Sequence, residues 1–347
     1  MLLSTSGRAT ARPEKGDPMR ILVTGGAGFI GSHFVRELLS GAYPHWENAR
    51  TVVLDKLTYA GNPANLAPVA DDPNLTFVQG DICDPVVVDD LMRDVDLVVH
   101  FAAESHVDRS IADASAFVRT NVQGTFTLLE AAVRAGVGRF VHVSTDEVYG
   151  SIEHGAWAED QPLSPNSPYA ATKAASDHLA LAFHRTHGLP VCVTRCSNNY
   201  GPYQYPEKVI PLFATNLLDG LTVPLYGDGR NSRDWLHVDD HCRGIQLVAS
   251  KGRPGEVYHI GGGTELSNAE LTARLLDICG ADASAVRRVP DRKGHDLRYC
   301  LDISKITAEL GYAPRTGFAE GLAETVEWYR THRDWWEPLK VTPPGTT

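Results

Sequence analysis

Arg20-Ile21-Leu22-Val23-Thr24-Gly25-Gly26-Ala27-Gly28-Phe29-Ile30-Gly31 decides the fold of this chain. The first five residues form a short apolar run that reads as a buried parallel strand. The next seven satisfy G-x-x-G-x-x-G from Gly25 and G-x-G-x-x-G from Gly26. Beyond them, Ile30, Phe34 and Leu38 share one face of a helix predicted over Phe29 to Ser40. Glycines at such a turn let the backbone approach a pyrophosphate, which the helix N-terminus attracts. The spacing alone is weak; the strand before it and the helix after it give it weight.

The alternation continues downstream. Strands are predicted at Thr51–Asp55, Leu75–Val78, Asp96–His100, Arg139–Val143 and Val191–Arg195, with helices between them. The longest helices are predicted at about Ala114–Ala135 and Tyr169–Thr186. This order implies an α/β fold with right-handed crossovers, a doubly wound parallel sheet of the Rossmann kind. After Arg195 the elements shorten and Gly and Pro multiply, beginning at Asn199-Tyr200-Gly201-Pro202-Tyr203. A strand–helix–strand pattern over Trp235–Ile260 predicts a return to the first domain. The dinucleotide-binding domain is therefore expected over 19–195 and 235–260. A smaller α/β substrate-binding domain is expected over 196–234 and 261–338.

The ends read differently. Residues 1–18 are rich in Ser, Thr, Arg, Pro and Gly and lack an apolar segment long enough for a secretory signal, so a disordered extension is expected. Met19 is a candidate alternative start, and 339–347 reads as a tail. The net charge of −11 argues against nucleic acid or an anionic membrane as partner. No apolar run reaches the roughly 18 residues of a membrane span. Six scattered cysteines without a CxxC pair read as reduced thiols of a cytoplasmic protein, and no metal site is expected.

Asp55 ends the second strand at the distance expected of a carboxylate that binds the adenosine ribose hydroxyls. A carboxylate there repels a 2′-phosphate and favours NAD over NADP, although Lys56 next to it weakens that preference. Asp81 and Ile82, after the third strand, are placed to reach the adenine.

Tyr169 and Lys173 lie four apart on a predicted helix and so share a face. That geometry lets an ammonium lower the pKa of a phenol and make it a base near neutral pH. Ser144-Thr145 end the fifth strand about 25 residues earlier. A hydroxyl, a phenol and an ammonium at this relation to the glycine turn resemble the extended short-chain dehydrogenase/reductases. Asp146-Glu147 add a second acid and a second base, which simple hydride transfer does not need. As neighbours they would face opposite sides of a strand, so they are expected on the loop after it.

Longer stretches resemble the dTDP-glucose 4,6-dehydratase family. They are Gly25–Gly31, Ala102-Ala103-Glu104-Ser105-His106-Val107-Asp108-Arg109-Ser110, Ser144–Gly150, Asn198–Tyr203 and Asp291-Arg292-Lys293-Gly294-His295-Asp296. The likeness runs from about Arg20 to Lys340 with no departure at a catalytic position. It implies bound, regenerated NAD, a nucleotide-diphosphate hexose (dTDP-glucose) as substrate, and a homodimer built on the helices near 114–135 and 169–186. It also implies C4 oxidation with Tyr169 as base and Thr145 positioning the oxygen. Glu147 then removes the C5 proton, Asp146 protonates the leaving C6 hydroxyl, and hydride returns to C6. By the same likeness Gly25, Gly28, Phe29, Ile30, Gly31, Asp55, Lys56, Thr58, Asp81, Ile82, Ala102, Ala103, Ser105, Thr120, Tyr169, Lys173 and Asn199 face the cofactor. His106, Thr145, Asn198, Lys208, Val209, Pro224, Tyr226, Arg233, Asn268, Arg292, His295 and Tyr299 face the substrate. Trp335 and Trp336 are expected to close the C-terminal helix onto the core.

Two other classes use the same parts. An epimerase or decarboxylase of the same superfamily shares the fold, NAD and the Tyr/Lys pair but expels no C6 hydroxyl. A catalytically silent NAD-binding regulator has no reason to keep all five residues. Asp146 discriminates among them.

Overall fold

A computed structural model describes residues 18–340. The expected N-terminal extension and C-terminal tail lie outside the described residues, apart from Pro18, Leu339 and Lys340.

Strands β1 (Arg20–Thr24), β2 (Arg50–Asp55), β3 (Leu75–Gln79), β4 (Leu97–His100), β5 (Arg139–Thr145) and β6 (Val191–Cys196) pair in parallel. Completed later in the chain, the sheet has seven strands, with β1 flanked by β2 on one side and β4 on the other. Alternate side chains of β1 explain the double winding. Ile21 and Val23 enter one core with Val53, Val99 and Val141, while Leu22 enters the opposite one with Leu54, Val98 and Phe140. Both faces are apolar, so both must be covered by helices. The helices in this part are α1 (Phe29–Leu39), α2 (Pro85–Leu91), α3 (Val107–Ala112), α4 (Ser115–Phe117), α5 (Thr125–Ala135) and α6 (Pro168–His187). The helix expected over 114–135 contains a π-helical segment, Val118–Gly124, between α4 and α5. Since β2 and β4 leave β1 in opposite directions, a crevice opens at the carboxyl ends of the strands.

The rest of the chain adds β7 (Asn198–Tyr200), β8 (Val223–Tyr226), β9 (Ser232–His237), β10 (Val257–Ile260), β11 (Glu265–Ser267) and β12 (Val286–Val289). Its helices are α7 (Val209–Leu218), α8 (Val238–Lys251), α9 (Asn268–Cys279), α10 (Ser304–Leu310), α11 (Phe318–Thr331) and α12 (Arg333–Trp336). β10 joins the large sheet beside β6. β11, β9 and β7 form a three-stranded sheet, and β12 with β8 a two-stranded one. Tyr200, Phe213, Trp235, Leu271, Phe318 and Trp336 fill the core between these small sheets and their helices.

Two boundaries differ from the sequence reading. The strand containing Trp235 pairs with β7 and β11 rather than with the large sheet. Its Asp234 is satisfied there by the Gly262 and Thr264 N–H groups, at 3.1 and 2.8 Å. Within 261–338, Ile306, Leu310 and Tyr312 bury against the core of the large sheet. No described helix is long and apolar enough to cross a membrane.

Candidate active site

The glycine turn has no room for side chains where β1 meets the loop after β4. Gly25 has φ +71°, and a Cβ there would lie 2.6 Å from the Ala102 nitrogen. A Cβ on Gly31 would lie 2.3 Å from the Gly25 carbonyl oxygen, inside any allowed contact. Gly28 opens α1 without a side-chain cap, leaving the first-turn N–H groups available to an anion. Ala27 is fixed on both sides. Its N–H donates to Asp55 Oδ2 at 2.9 Å, and its carbonyl accepts from Asn65 Nδ2 at 2.9 Å. Asn65 Oδ1 in turn accepts from the indole N–H of Trp335 at 2.9 Å. Trp335 thus reaches the cofactor loop, while Trp336 is fully buried as expected of a core residue.

Above this turn lies a cavity of about 310 Å3. It is lined by every residue expected to face the cofactor, from Gly25 to Asn199. Thr120 comes from the π-helical segment, whose Asn121 side chain holds the Glu104 N–H and carbonyl at 2.9 and 3.0 Å. Burial raises the Asp55 pKa, opposed by the N–H groups of Leu57 and Ala27. The Lys56 ammonium pairs with Asp81 at 2.8 Å, so it is not an unopposed cation for a 2′-phosphate. The bare glycine cradle and the Asp55 carboxylate fit NAD.

The residues expected to act as acid and base follow directly from the end of β5. Thr145 caps the 3₁₀ turn Asp146–Tyr149: its Oγ1 accepts the Glu147 N–H at 3.3 Å and its hydroxyl donates to Asp146 Oδ1 at 3.2 Å. The expected loop position is therefore a tight turn. Asp146 is 2% exposed, and its Oδ2 is buried without a hydrogen-bond partner. Burial, and then the Glu147 charge, push its pKa well above the carboxylate range. Glu147 is also raised by burial, but Lys208 and Arg233 oppose the shift. The two carboxyls are thus unequal: burial and the neighbouring charge raise Asp146 with Arg233 the single opposing cation, while Lys208 and Arg233 both oppose the rise at Glu147.

Ser167 caps α6 by accepting the Ala170 N–H at 3.1 Å, with Pro168 in the first helical position. Tyr169 and Lys173 both line the cofactor cavity. Burial, then the Glu147 charge, raises the phenol, and the Thr145 hydroxyl opposes this. The Lys173 ammonium donates to the Val143 carbonyl at 2.8 Å, and burial lowers its pKa to about 8. In this geometry the lysine is spent on a backbone oxygen, and burial dominates the phenol.

A second cavity, about 290 Å3, meets the first along Glu147, Asn198, Asn199 and Lys208. It contains all the residues expected to face substrate except Thr145, which lines the first. Arg233 donates to the Asp296 carbonyl at 2.9 Å and lies 4.3 Å above the Tyr299 ring. Lys208 Nζ donates to the Ser105 carbonyl at 2.9 Å, and His295 Nδ1 lies 2.6 Å from Asp291 Oδ1. Asn198 Oδ1 is buried without a partner. Residues given no site role from sequence also line this cavity, among them Asp108, Glu207 and Asp296. Glu207 accepts from the Tyr59 hydroxyl at 2.9 Å. Only its adjacency to Lys208 could have drawn attention to it. His33, Glu37 and Asp239 bring ligand atoms within 4.8 Å of one another, but none of the three lines either cavity.

A doubly wound sheet whose crevice joins a glycine turn, a Tyr/Lys helix and a second cavity carrying Lys208, Arg233 and Arg292 defines an extended short-chain dehydrogenase/reductase. The chain belongs to the dTDP-glucose 4,6-dehydratase family within that class. A family model described as GDP-mannose 4,6 dehydratase matches residues 22–325. A dTDP-glucose 4,6-dehydratase of Streptomyces niveus is 66% identical over 328 residues, 94% of this chain and 98% of that protein. The crystal structure of DesIV, a dTDP-glucose 4,6-dehydratase from Streptomyces venezuelae with NAD bound, is 69% identical with a TM-score of 0.92. The match covers 93% of this chain and 100% of that one. A Thermus thermophilus UDP-glucose 4-epimerase in complex with NAD is 33% identical, with a TM-score of 0.83 over 90% of this chain and 100% of that one.

Proposed function

We propose that the protein is an NAD-dependent hydro-lyase that converts dTDP-glucose to dTDP-4-keto-6-deoxyglucose. The observation that carries this reading is the inequality of two adjacent carboxyls. Asp146 lines the cofactor cavity with one buried, unpartnered oxygen and has its pKa pushed well up by burial and the Glu147 charge, while Lys208 and Arg233 oppose the rise at Glu147. Elimination needs one proton donor and one proton acceptor side by side.

The residues divide the work as follows. The glycine turn, Asp55 and the other residues of the first cavity hold NAD. When bound, NAD would supply the hydride acceptor for C4 and the hydride donor for C6, and its positive charge would favour the Tyr169 phenolate. The Tyr169 oxygen accepts the proton of the C4 hydroxyl, and Thr145 orients that oxygen. The resulting 4-ketone acidifies C5, and Glu147 removes the C5 proton and returns a proton to C5 when hydride reaches C6. The Asp146 proton goes to the C6 hydroxyl, which leaves as water. Arg233, Arg292 and Lys208 neutralise the diphosphate, with Pro224 and Tyr226 beside the base. The larger sheet serves the cofactor and the smaller layers the nucleotide.

The 4-epimerase reading shares the fold and the cofactor but gives Asp146 nothing to protonate. Incubation with dTDP-glucose and, in parallel, UDP-glucose, followed by product mass, tests the choice. Loss of one water, faster from dTDP-glucose, is expected; a product of unchanged mass would transfer the protein to the epimerases. We further infer a homodimer built on the helical stretches 115–135 and 168–187, where Val118 and Phe126 are exposed. The free cysteines suit a cytoplasmic setting.

A further inference from the structure

Arg292 belongs to the loop between β12 and α10 and lines the substrate cavity, yet it is already engaged. Its Nη2 donates to Asp108 Oδ2 at 2.8 Å, and its Nε lies 2.6 Å from Asp108 Oδ1. The second contact is not aligned as a hydrogen bond, so Nε remains a buried donor without a partner. Asp108 sits on α3, in the loop region after β4. Both residues line the substrate cavity, where the pair joins α3 to the loop before α10.

The same short helix is held from the other direction. Arg109 lies 3.3 Å from Glu207 and 3.5 Å above the Tyr59 ring. Rotation of the Asp108 side chain can release Arg292 while Arg109 keeps the helix in place.

We propose that Asp108 is a specificity-determining residue that occupies the guanidinium face of Arg292 until a nucleoside diphosphate displaces it. This deepens the nucleotide-sugar reading and rests on it. A carboxylate and a phosphate compete for the same edge of an arginine. An inorganic phosphate would gain one guanidinium at the expense of an existing ion pair. A diphosphate that also reaches Arg233 and Lys208 gains two further cations and wins the exchange. Releasing Arg292 costs every anion that uses it the same factor, so only one that also recruits Arg233 and Lys208 still binds tightly.

The experiment compares dTDP binding by the NAD-loaded wild type, Asp108→Asn and Asp113→Asn. Asp113 caps the other end of α3, so its substitution removes the same charge without touching Arg292. Asp108→Asn is expected to bind dTDP about fivefold more tightly, the factor equivalent to about 1 kcal/mol for a half-exposed pair. KM for dTDP-glucose should fall with kcat little changed, and inorganic phosphate should become a better inhibitor. Unchanged or weaker binding in Asp108→Asn would overturn the proposal, as would equal tightening in Asp113→Asn. Wild type that binds no dTDP would overturn the nucleotide-sugar reading and the latch together.

Discussion

Asp146 and Glu147 are chain neighbours with different surroundings. Thr145 holds one oxygen of Asp146, whose other oxygen is buried without a partner beside the first cavity, whereas Glu147 opens onto both cavities. That contrast gives a prediction about leaving groups. Asp146→Asn should lose about 100-fold or more in turnover of dTDP-glucose. The 6-fluoro analogue should recover most of that loss, because fluoride departs without a strong acid. Equal impairment on both substrates would remove Asp146 from the role of C6 acid. The dipeptide was legible in the sequence, but its asymmetry was not. It arises from Lys208 and Arg233, more than sixty positions downstream. The Lys173–Val143 bond was equally hidden, since helical spacing places an ammonium near a phenol without specifying what else it can reach.

Among the elements, the β1–α1 turn was the easiest to read and should be the least tolerant. Gly31→Ala drives a methyl into the Gly25 carbonyl, a backbone atom that cannot rotate away. Loss of NAD from the purified protein and destabilisation of about 1–3 kcal/mol are expected, measured by bound-cofactor absorbance and by denaturant titration. Gly41→Ala is the comparison: its Cβ would meet nothing within 4 Å, leaving only the strain of φ +78°. It should keep its NAD. Long apolar strands were legible because both faces of the large sheet are buried. The three-residue β7 and β11 were not, being too short to show a period. β9 reads Ser-Arg-Asp-Trp-Leu-His, and its polar residues find buried partners that sequence spacing does not reveal. Nor does hydrophobic spacing mark a π-helical segment of seven residues inside a longer helix.

Across the whole molecule, buried histidines tie stability to pH. Burial lowers His142 to about 4 and His241 and His259 to about 3, against an ordinary value of 6.5. The unfolded chain then takes up protons that the folded one refuses, so stability rises with pH across this interval. Each group's contribution is complete above about 6.5 and is lost as pH falls towards the folded value. Asp146, whose shift is upward, acts in the opposite sense, so a difference measurement is needed. His259 Nε2 lies 2.7 Å from the Tyr149 hydroxyl, and a glutamine can present an oxygen there. The stability gap between wild type and His259→Gln should narrow as pH falls from 6.5 towards 4, read by thermal unfolding. A constant gap would exclude His259 from acid lability. The alternation of strand and helix was legible where strands were long. The pairing of Asp108 with Arg292, separated by 184 positions, required the folded chain.

The indole N–H of Trp335 reaches Asn65, which carries the Ala27 carbonyl of the glycine turn. One of the last residues of the described chain therefore completes the support of one of its first loops. A ribosome makes the β1–α1 turn some three hundred residues before it makes this tryptophan. During translation Asp55, Asn62 and Asn65 can already hold the turn, but Asn65 lacks its indole partner until the C-terminal helices dock. The NAD site is thus finished near the end of synthesis, and a prematurely terminated chain lacks part of it.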